Sequence, residues 1–302
     1  MKQPQISIII PTYNDPNGIS TTVKSLINQD FKQNYEIIVV DNNSQDNTRE
    51  VVKKIIELNT NQYCQLSLYN QDKIQTSYAT RNMGIKKAKG EVLCFIDSDM
   101  WVDNDYLSKV LKAYTNRKEE CFYMGCRVEI VMKEGNIYEK YNKFFGFPVK
   151  ENLLKAHYIY TACLIINKQL ITKIGYFNRS LFSGGDWEFG QRVFCSGIHQ
   201  VYSHNIILYH PARDNLKLLI NKYRRIGRGL CQNRLYRYYF LLILLPKNPW
   251  IFYRSIKSKY PQERFINIFW LYLIDIFIRK FSIVRGYTLQ LFLEPSIIHL
   301  TL

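Results

Sequence analysis

Asp97-Ser98-Asp99 closes the apolar run Val92-Leu93-Cys94-Phe95-Ile96, so two carboxylates stand two residues apart where a buried strand ends. Such a pair can hold a hard divalent cation, because Mg2+ or Mn2+ takes one or two carboxylates and completes its shell with phosphate oxygens and water. The same residues would also serve as a turn in which either aspartate caps the helix starting near Asp103. A second acidic segment, Gly184-Gly185-Asp186-Trp187-Glu188-Phe189-Gly190-Gln191-Arg192, sets two carboxylates at the opening of a helix. Its glycines allow close backbone approach, and a helix N-terminus favours an ionised carboxylate, although Asp186 could equally be a plain N-cap. His210 ends a further apolar run, Ile206 to Tyr209. A neutral imidazole suits a transition-type cation and an imidazolium would pair with phosphate, while a structural histidine is the ordinary alternative. His204 reads as a surface residue.

These residues need elements to position them. Strand-length apolar runs alternate with helix-period segments through the first hundred residues: strand at Ile6 to Pro11, helix at Gly18 to Asn28, strand at Tyr35 to Asp41, helix at Thr48 to Leu58. Strand Leu66 to Tyr69, helix Ser77 to Ala88 and strand Glu91 to Asp97 continue the series. Runs such as Ile37-Ile38-Val39-Val40 are apolar on both faces, as in a parallel sheet covered by helices on each side, and right-handed crossovers make this an α/β, doubly wound half-domain. Polar residues gather where the strands end: Thr12, Asn14 and Asp15, then Asp41, Asn42 and Asn43, then Asp97, Ser98 and Asp99. Open α/β sheets bind ligands at the carboxyl ends of their strands, so a crevice is expected there. Beyond residue 103 the pattern predicts helix Tyr106 to Tyr114, strand Phe122 to Val131, an aromatic loop Tyr138 to Phe147, a strand or buried segment Tyr158 to Ile166, and the helix ending near Cys195.

In this order and spacing the motifs resemble the family 2 glycosyltransferases of GT-A fold, over Ile6 to about Arg213. The resemblance rests on Ile8-Ile9-Ile10-Pro11-Thr12-Tyr13-Asn14, on Glu36 to Ser44 with Asp46 and Thr48, on Ala79-Thr80-Arg81-Asn82-Met83-Gly84, and on Gly90 to Asp99. It implies a mostly parallel central sheet and an enzyme that moves a sugar from a nucleoside-diphosphate sugar, expected to be a UDP-sugar, to a hydroxyl of a glycan or lipid-linked acceptor, with inversion. It also implies that Pro11, Thr12, Tyr13, Asp41, Arg81 and Asp97 hold the nucleotide, and that Asp97 and Asp99, with His210, hold Mn2+ or Mg2+. Asp186 is implied as general base with Glu188 second, since Gly185 stands where the family usually has an acidic residue. Each role suits its side chain: a carboxylate accepts the imide N–H of uracil, Tyr13 can stack on a base, and Arg81 offsets phosphate charge. A retaining GT-A transferase or nucleotidyltransferase, and a non-catalytic nucleotide-sugar or membrane-binding protein, are the alternatives.

The 302 residues suit one large α/β domain with an appendage: a catalytic domain over 1–210, split near 103 into nucleotide and acceptor halves, and a region 211–302. Up to 210 there are 25 Lys and Arg against 21 Asp and Glu, whereas 211–302 holds 16 against 4. That helical, basic tail suits an anionic membrane surface before simple packing, and nucleic acid last. No run reaches the roughly 20 apolar residues of a membrane span, and no secretory signal is read at the N-terminus. Seven cysteines without a C-x-x-C predict reduced, buried thiols. The expected location is therefore cytoplasmic, peripheral at the inner face of the cell membrane.

Overall fold

Seven residues of unbroken apolar or small character make Ile6–Thr12 the first strand, β1. It is flanked in parallel by β2 (Tyr35–Asp41) and β4 (Val92–Phe95), and β2 carries β3 (Cys64–Asn70) on its other side. The computed structural model describes residues 3–117, 119–232, 245 and 247–293. β1 and β2 are buried along almost their whole length, and β2 has no exposed residue. Helices α1 (Pro16–Ile27), α2 (Thr48–Leu58) and α3 (Ser77–Lys87) connect the four parallel strands. Each crossover begins where its strand's polar end residues turn the chain: Asp15 caps α1 by accepting from the Gly18 N–H, and Thr76 caps α3 from the Ala79 N–H.

The parallel character stops at β4. The eight-stranded sheet runs β3-β2-β1-β4-β7-β6-β8-β5, where β5 is Trp101–Val102, β6 Tyr123–Val131, β7 Leu164–Asn167 and β8 Gln200–Pro211. The β4–β7, β7–β6 and β5–β8 pairs are antiparallel. The sheet is thus mixed, its doubly wound parallel half ending where the acidic strand-end motif begins. Helices α4 (Tyr106–Thr115), α5 (Ile137–Phe145), α6 (Val149–Ala156), α7 (Lys168–Ile174) and α8 (Gly185–Cys195) complete the part before 211.

The chain divides into two compact units, the first formed by Met1–Glu129, Phe147–Ser180 and Gly185–His210, the second by Ile130–Gly146, Leu181–Gly184 and Pro211–Leu302. The chain enters the second unit for the last time at 211, yet that unit also takes 130–146 and 181–184 out of the stretch read as catalytic. The expected aromatic loop Tyr138 to Phe147 is mostly helix α5, closed by a capping box in which Asn136 and Glu139 satisfy each other's backbone N–H groups. Its Tyr141 belongs to the second unit's core with Leu219, Tyr223, Phe252 and Leu271. That unit is helical: α9 (Leu216–Gln232), α10 (Pro249–Lys259), α11 (Phe265–Leu273), a π-helical stretch Ile274–Lys280, and α12 (Phe281–Leu293). α9 and α12 cross at glycines: a Cβ on Gly227 would lie 2.0 Å from the Ile283 carbonyl oxygen, and one on Gly286 2.0 Å from that of Arg224. The apolar run 238–246, with Arg234 and Arg237, lies outside the described residues except for Leu245. All seven cysteines are free thiols and all but Cys195 are buried.

Candidate active site

The parallel register lines up the strand ends. Thr12 pairs with Asp41, and Asp41 with Asn70, so three polar residues close three adjacent strands in one row. Asp41 is fully buried. Its Oδ2 accepts from the Ser44 N–H at 2.9 Å and lies 3.8 Å from Arg49 Nε, but its Oδ1 has no hydrogen-bond partner among the described residues. Thr12 Oγ1 and Asn42 Oδ1 are likewise buried and unpartnered. Unmet buried polar atoms each cost about 1–3 kcal/mol, so three in one row mark a place built for a ligand. Tyr13 stands half exposed beside them and Pro11 is partly buried.

The loops behind this row are laced together. Asn14, held at φ 48°, donates its N–H to Ser44 Oγ and accepts from the Gln45 N–H, while the Asp15 N–H donates to Thr48 Oγ1. Asp15 Oδ2 accepts from Ser98 Oγ, and Thr22 Oγ1 donates to the Ser98 carbonyl. The first loop is thereby tied to the Asp97-Ser98-Asp99 turn. Burial raises the Asp15 carboxyl above its usual range, with the charges of Asp99 and Asp46 adding to the rise and the Gly18 and Ser98 hydrogen bonds opposing it.

Asp97 and Asp99 diverge in their partners. Arg81, buried on α3, donates from Nη2 to Asp97 Oδ1 at 2.5 Å, and its buried Nε is unpartnered among the described residues. Asp99 Oδ2 lies 3.4 Å from Nε2 of the buried His210. Phe147 stands beside that imidazole, 5.2 Å between ring centroids, and beside Tyr160 at the same distance. Among the described residues no three His, Cys, Asp or Glu side chains converge as a complete metal site. One carboxylate and one imidazole in contact, with a second carboxylate two residues away, nevertheless fit a Mn2+ or Mg2+ that draws the rest of its shell from a diphosphate and water.

Asp186 opens α8, and its Oδ1 takes two hydrogen bonds, from Tyr78 Oη at 2.9 Å and from Thr161 Oγ1 at 3.2 Å. Oδ2 receives none among the described residues. Tyr78 also accepts the Gly185 N–H at 2.9 Å, so one phenol holds both the helix start and the carboxylate. A Cβ on Gly185 would lie 2.7 Å from the Tyr78 ring, which explains why a glycine precedes Asp186 here. Burial raises the Asp186 carboxyl; the nearby Arg81 charge and the Tyr78 and Thr161 hydrogen bonds pull it down, and the Asp97 charge pushes it up. Glu188 is not part of this group. It faces Arg192, which grips both its oxygens at 2.7 and 3.0 Å in an i,i+4 pair.

Tyr78 and Thr161 carry no local signal in the sequence that points to Asp186; Tyr78 reaches the site because it lies one helical turn before Arg81 on α3. Asn152 donates from Nδ2 to both Tyr158 and Tyr160 hydroxyls, fixing the aromatic segment that leads into Thr161. Burial pushes the Tyr160 phenol up to about 12.

Comparison with known proteins falls in line with this geometry. The model of the glycosyl transferase family 2 matches residues 7–175. The glycosyltransferase AglE of Haloferax volcanii is 31% identical over 231 residues, covering 76% of this chain and 74% of the relative. A Methanococcus voltae enzyme, dolichyl N-acetyl-alpha-D-glucosaminyl phosphate 3-beta-D-2,3-diacetamido-2,3-dideoxy-beta-D-glucuronosyltransferase, is 26% identical over 255 residues, 80% of this chain and 77% of that one. Among solved structures, the mannosyltransferase PcManGT of Pyrobaculum calidifontis in complex with GDP-Man and Mn2+ superposes with a TM-score of 0.61 at 15% identity, over 96% of this chain and 88% of that one. The last likeness speaks for the fold.

Proposed function

The chain belongs to glycosyl transferase family 2, and from that premise we propose that it moves a sugar from a UDP-sugar to a hydroxyl of a glycan or lipid-linked acceptor with inversion at the anomeric carbon. The observation that carries the reading is the row of buried oxygens at the ends of β1 and β2 that find no partner among the described residues: Thr12 Oγ1, Asp41 Oδ1 and Asn42 Oδ1. Two amide or carboxylate oxygens and a hydroxyl call for a ligand that brings donors, and a nucleobase imide N–H would meet Asp41 Oδ1. Tyr13 offers an aromatic face beside it.

Chemistry takes place further along the strand ends. The acceptor hydroxyl attacks the anomeric carbon while its proton passes to Asp186, the bond from that carbon to the diphosphate oxygen breaks, and the electron pair leaves with the diphosphate. Oδ1 is occupied by Tyr78 and Thr161, which leaves Oδ2 as the proton-accepting oxygen. A burial-raised carboxyl is a stronger base than one in water and remains usable near neutrality. Arg81 brings its positive charge to the leaving side and holds Asp97 in place. A bound Mn2+ or Mg2+, with Asp97, Asp99 and His210 as its protein donors, would neutralise charge on the departing diphosphate. Glu188, locked to Arg192, has no part in the scheme.

The names of relatives support a lipid-linked acceptor, the Methanococcus voltae enzyme being named for a dolichyl phosphate sugar. The basic second unit would then hold the enzyme against an anionic membrane surface, at the cytoplasmic face. No helix among the described residues is long and apolar enough to cross a membrane. Calorimetry with UDP-, GDP-, dTDP- and CMP-sugars, with and without Mn2+, on wild type and Asp99→Ala tests the donor site. Mn2+-dependent binding of UDP-sugars that the variant loses is the expected result; binding of another nucleotide class replaces the donor, and no binding at all overturns the reading.

A further inference from the structure

The helical run from Phe265 to Leu293 is apolar on both its buried and its exposed sides. Its three stretches join without a break, the backbone staying right-handed helical at Leu273, Ile274 and Phe281. Steps of four residues keep side chains near one face of a helix, and Phe265, Phe269, Phe277 and Phe281 follow such steps, with Phe292 beyond them. Phe265, Phe277, Phe281 and Phe292 are 66–83% exposed. The opposite side buries Ile268, Leu271, Ile274 and Ile283 in the unit's core, along with the polar Asp275, Lys280, Ser282 and Gln290. A helix at a water-facing surface turns one apolar stripe to the core and keeps its outer side polar, whereas here the outer side is aromatic.

The apolar face continues onto the preceding helix. Phe265 lies 5.9 Å, ring to ring, from Tyr253, which stacks at 5.5 Å on the exposed Trp250. The charge around it has one sign. Of the two acids over 247–293, Glu263 is held by Lys140 at 2.9 Å and by Asn267, and buried Asp275 is held by Arg279 through both oxygens. Every exposed charged side chain over that stretch is basic: Lys247, Arg254, Lys259, Arg264 and Arg285.

We infer that the aromatic face running from Trp250 through Phe265, Phe277 and Phe281 to Phe292 is a docking surface that enters the headgroup region of an anionic lipid bilayer, with Arg254, Arg264 and Arg285 against the lipid phosphates. Exposed aromatics flanked by arginines match the two components of such a surface, apolar burial in the acyl boundary and attraction to negative headgroups. A second copy of the chain fits less well, because a two-fold contact through this face would bring like charges together. The inference names the residues behind the membrane contact proposed above. It is tested without turnover or nucleotide, so its failure leaves the sugar-transfer reading standing.

The test is co-sedimentation of the full chain with vesicles of phosphatidylcholine alone or mixed with phosphatidylglycerol, together with quenching of tryptophan emission by brominated lipid. Wild type is expected to bind the mixed vesicles, more weakly at high salt, and to be quenched by the bromines. Phe277→Ser/Phe281→Ser should bind at least tenfold more weakly with an unchanged melting temperature. Arg254→Ser/Arg264→Ser, which leaves the aromatic face intact, should lose affinity for the mixed vesicles by about tenfold or more, at roughly 1 kcal/mol for each basic residue near the surface. Wild type that fails to bind or to be quenched, or variants that bind as well as wild type, would overturn the inference. So would a wild-type dimer that the phenylalanine double variant dissociates without any vesicle binding.

Discussion

The two units each bury an apolar core but differ in what they leave uncovered. In the first, apolar strands fill the inside, the buried pair of Ser7 and Glu36 apart, and Thr12, Asp41, Asp97 and Asp99 collect at the strand ends along one edge. In the second, a polar knot sits within the apolar core: Tyr141 donates to Asp275 Oδ1 at 2.9 Å, Tyr223 lies against the Tyr141 hydroxyl, and Arg279 closes on both Asp275 oxygens. Its outside carries Phe265, Phe277 and Phe281. The difference teaches what each surface faces. On the readings proposed above, the polar atoms that find no partner among the described residues at the first unit's edge meet a polar ligand, whereas the uncovered aromatic rings of the second meet an apolar one.

The contrast can be broken from the inside of the second unit. Asp275→Ala leaves the partly buried Arg279 charge and the buried Tyr141 hydroxyl without their partner and is expected to cost about 3 kcal/mol, far more than losing an exposed acid would; chemical denaturation followed by circular dichroism reads it. The matching test in the first unit is Ile9→Ala, a fully buried residue of β1. It should cost about 2–5 kcal/mol by transfer and cavity terms, in the same measurement.

At the site edge, Tyr78→Phe removes a hydrogen bond to a carboxylate, worth about 1.5–3 kcal/mol, and should lower kcat roughly ten- to hundredfold with little change in donor affinity. The sign of the pH effect is fixed. In the proposed role Asp186 must be ionised to accept a proton, so activity should fall as pH drops through its raised pKa; the Tyr78 bond holds that pKa down, and its loss should move the acid limb of the rate profile to higher pH. Smallest of all should be Phe277→Ser in the absence of lipid, within about 0.5 kcal/mol of wild type, because the ring is already in water. A large loss there would mean the face is covered in solution.

Much of the first unit is legible from local pattern. The Tyr35–Asp41 strand and Thr48–Leu58 helix agree with expectation to the residue, because fully apolar strands and helix-period segments state their own type. The strand expected at Glu91 to Asp97 is Val92–Phe95, shortened because Asp97 to Asp99 turn toward the site. What could not be read is set by distance along the chain. Tyr78 and Asp186 are 108 residues apart, and nothing near either announces the other. The antiparallel half of the sheet likewise depends on distant segments meeting, Tyr123 with Ile166 and Trp101 with Tyr209. The helix at 137–145 was readable, since Asn136 and Glu139 stand at capping-box spacing, but the aromatic run between Tyr138 and Phe147 masks that signal. Gly185 shows the same limit from the other side: the sequence reveals an exchange for an acidic residue, and only the Tyr78 ring gives its reason.

Asp186→Asn, with transfer rate and nucleotide affinity measured on the same preparation, tests the sugar-transfer account most directly. The account predicts a rate loss of about 10²–10⁴, the range of a general base, with UDP-sugar affinity within about twofold of wild type. A variant that transfers sugar at the wild-type rate would show that Asp186 is not the base and that the carboxylate held by Tyr78 and Thr161 serves the fold alone.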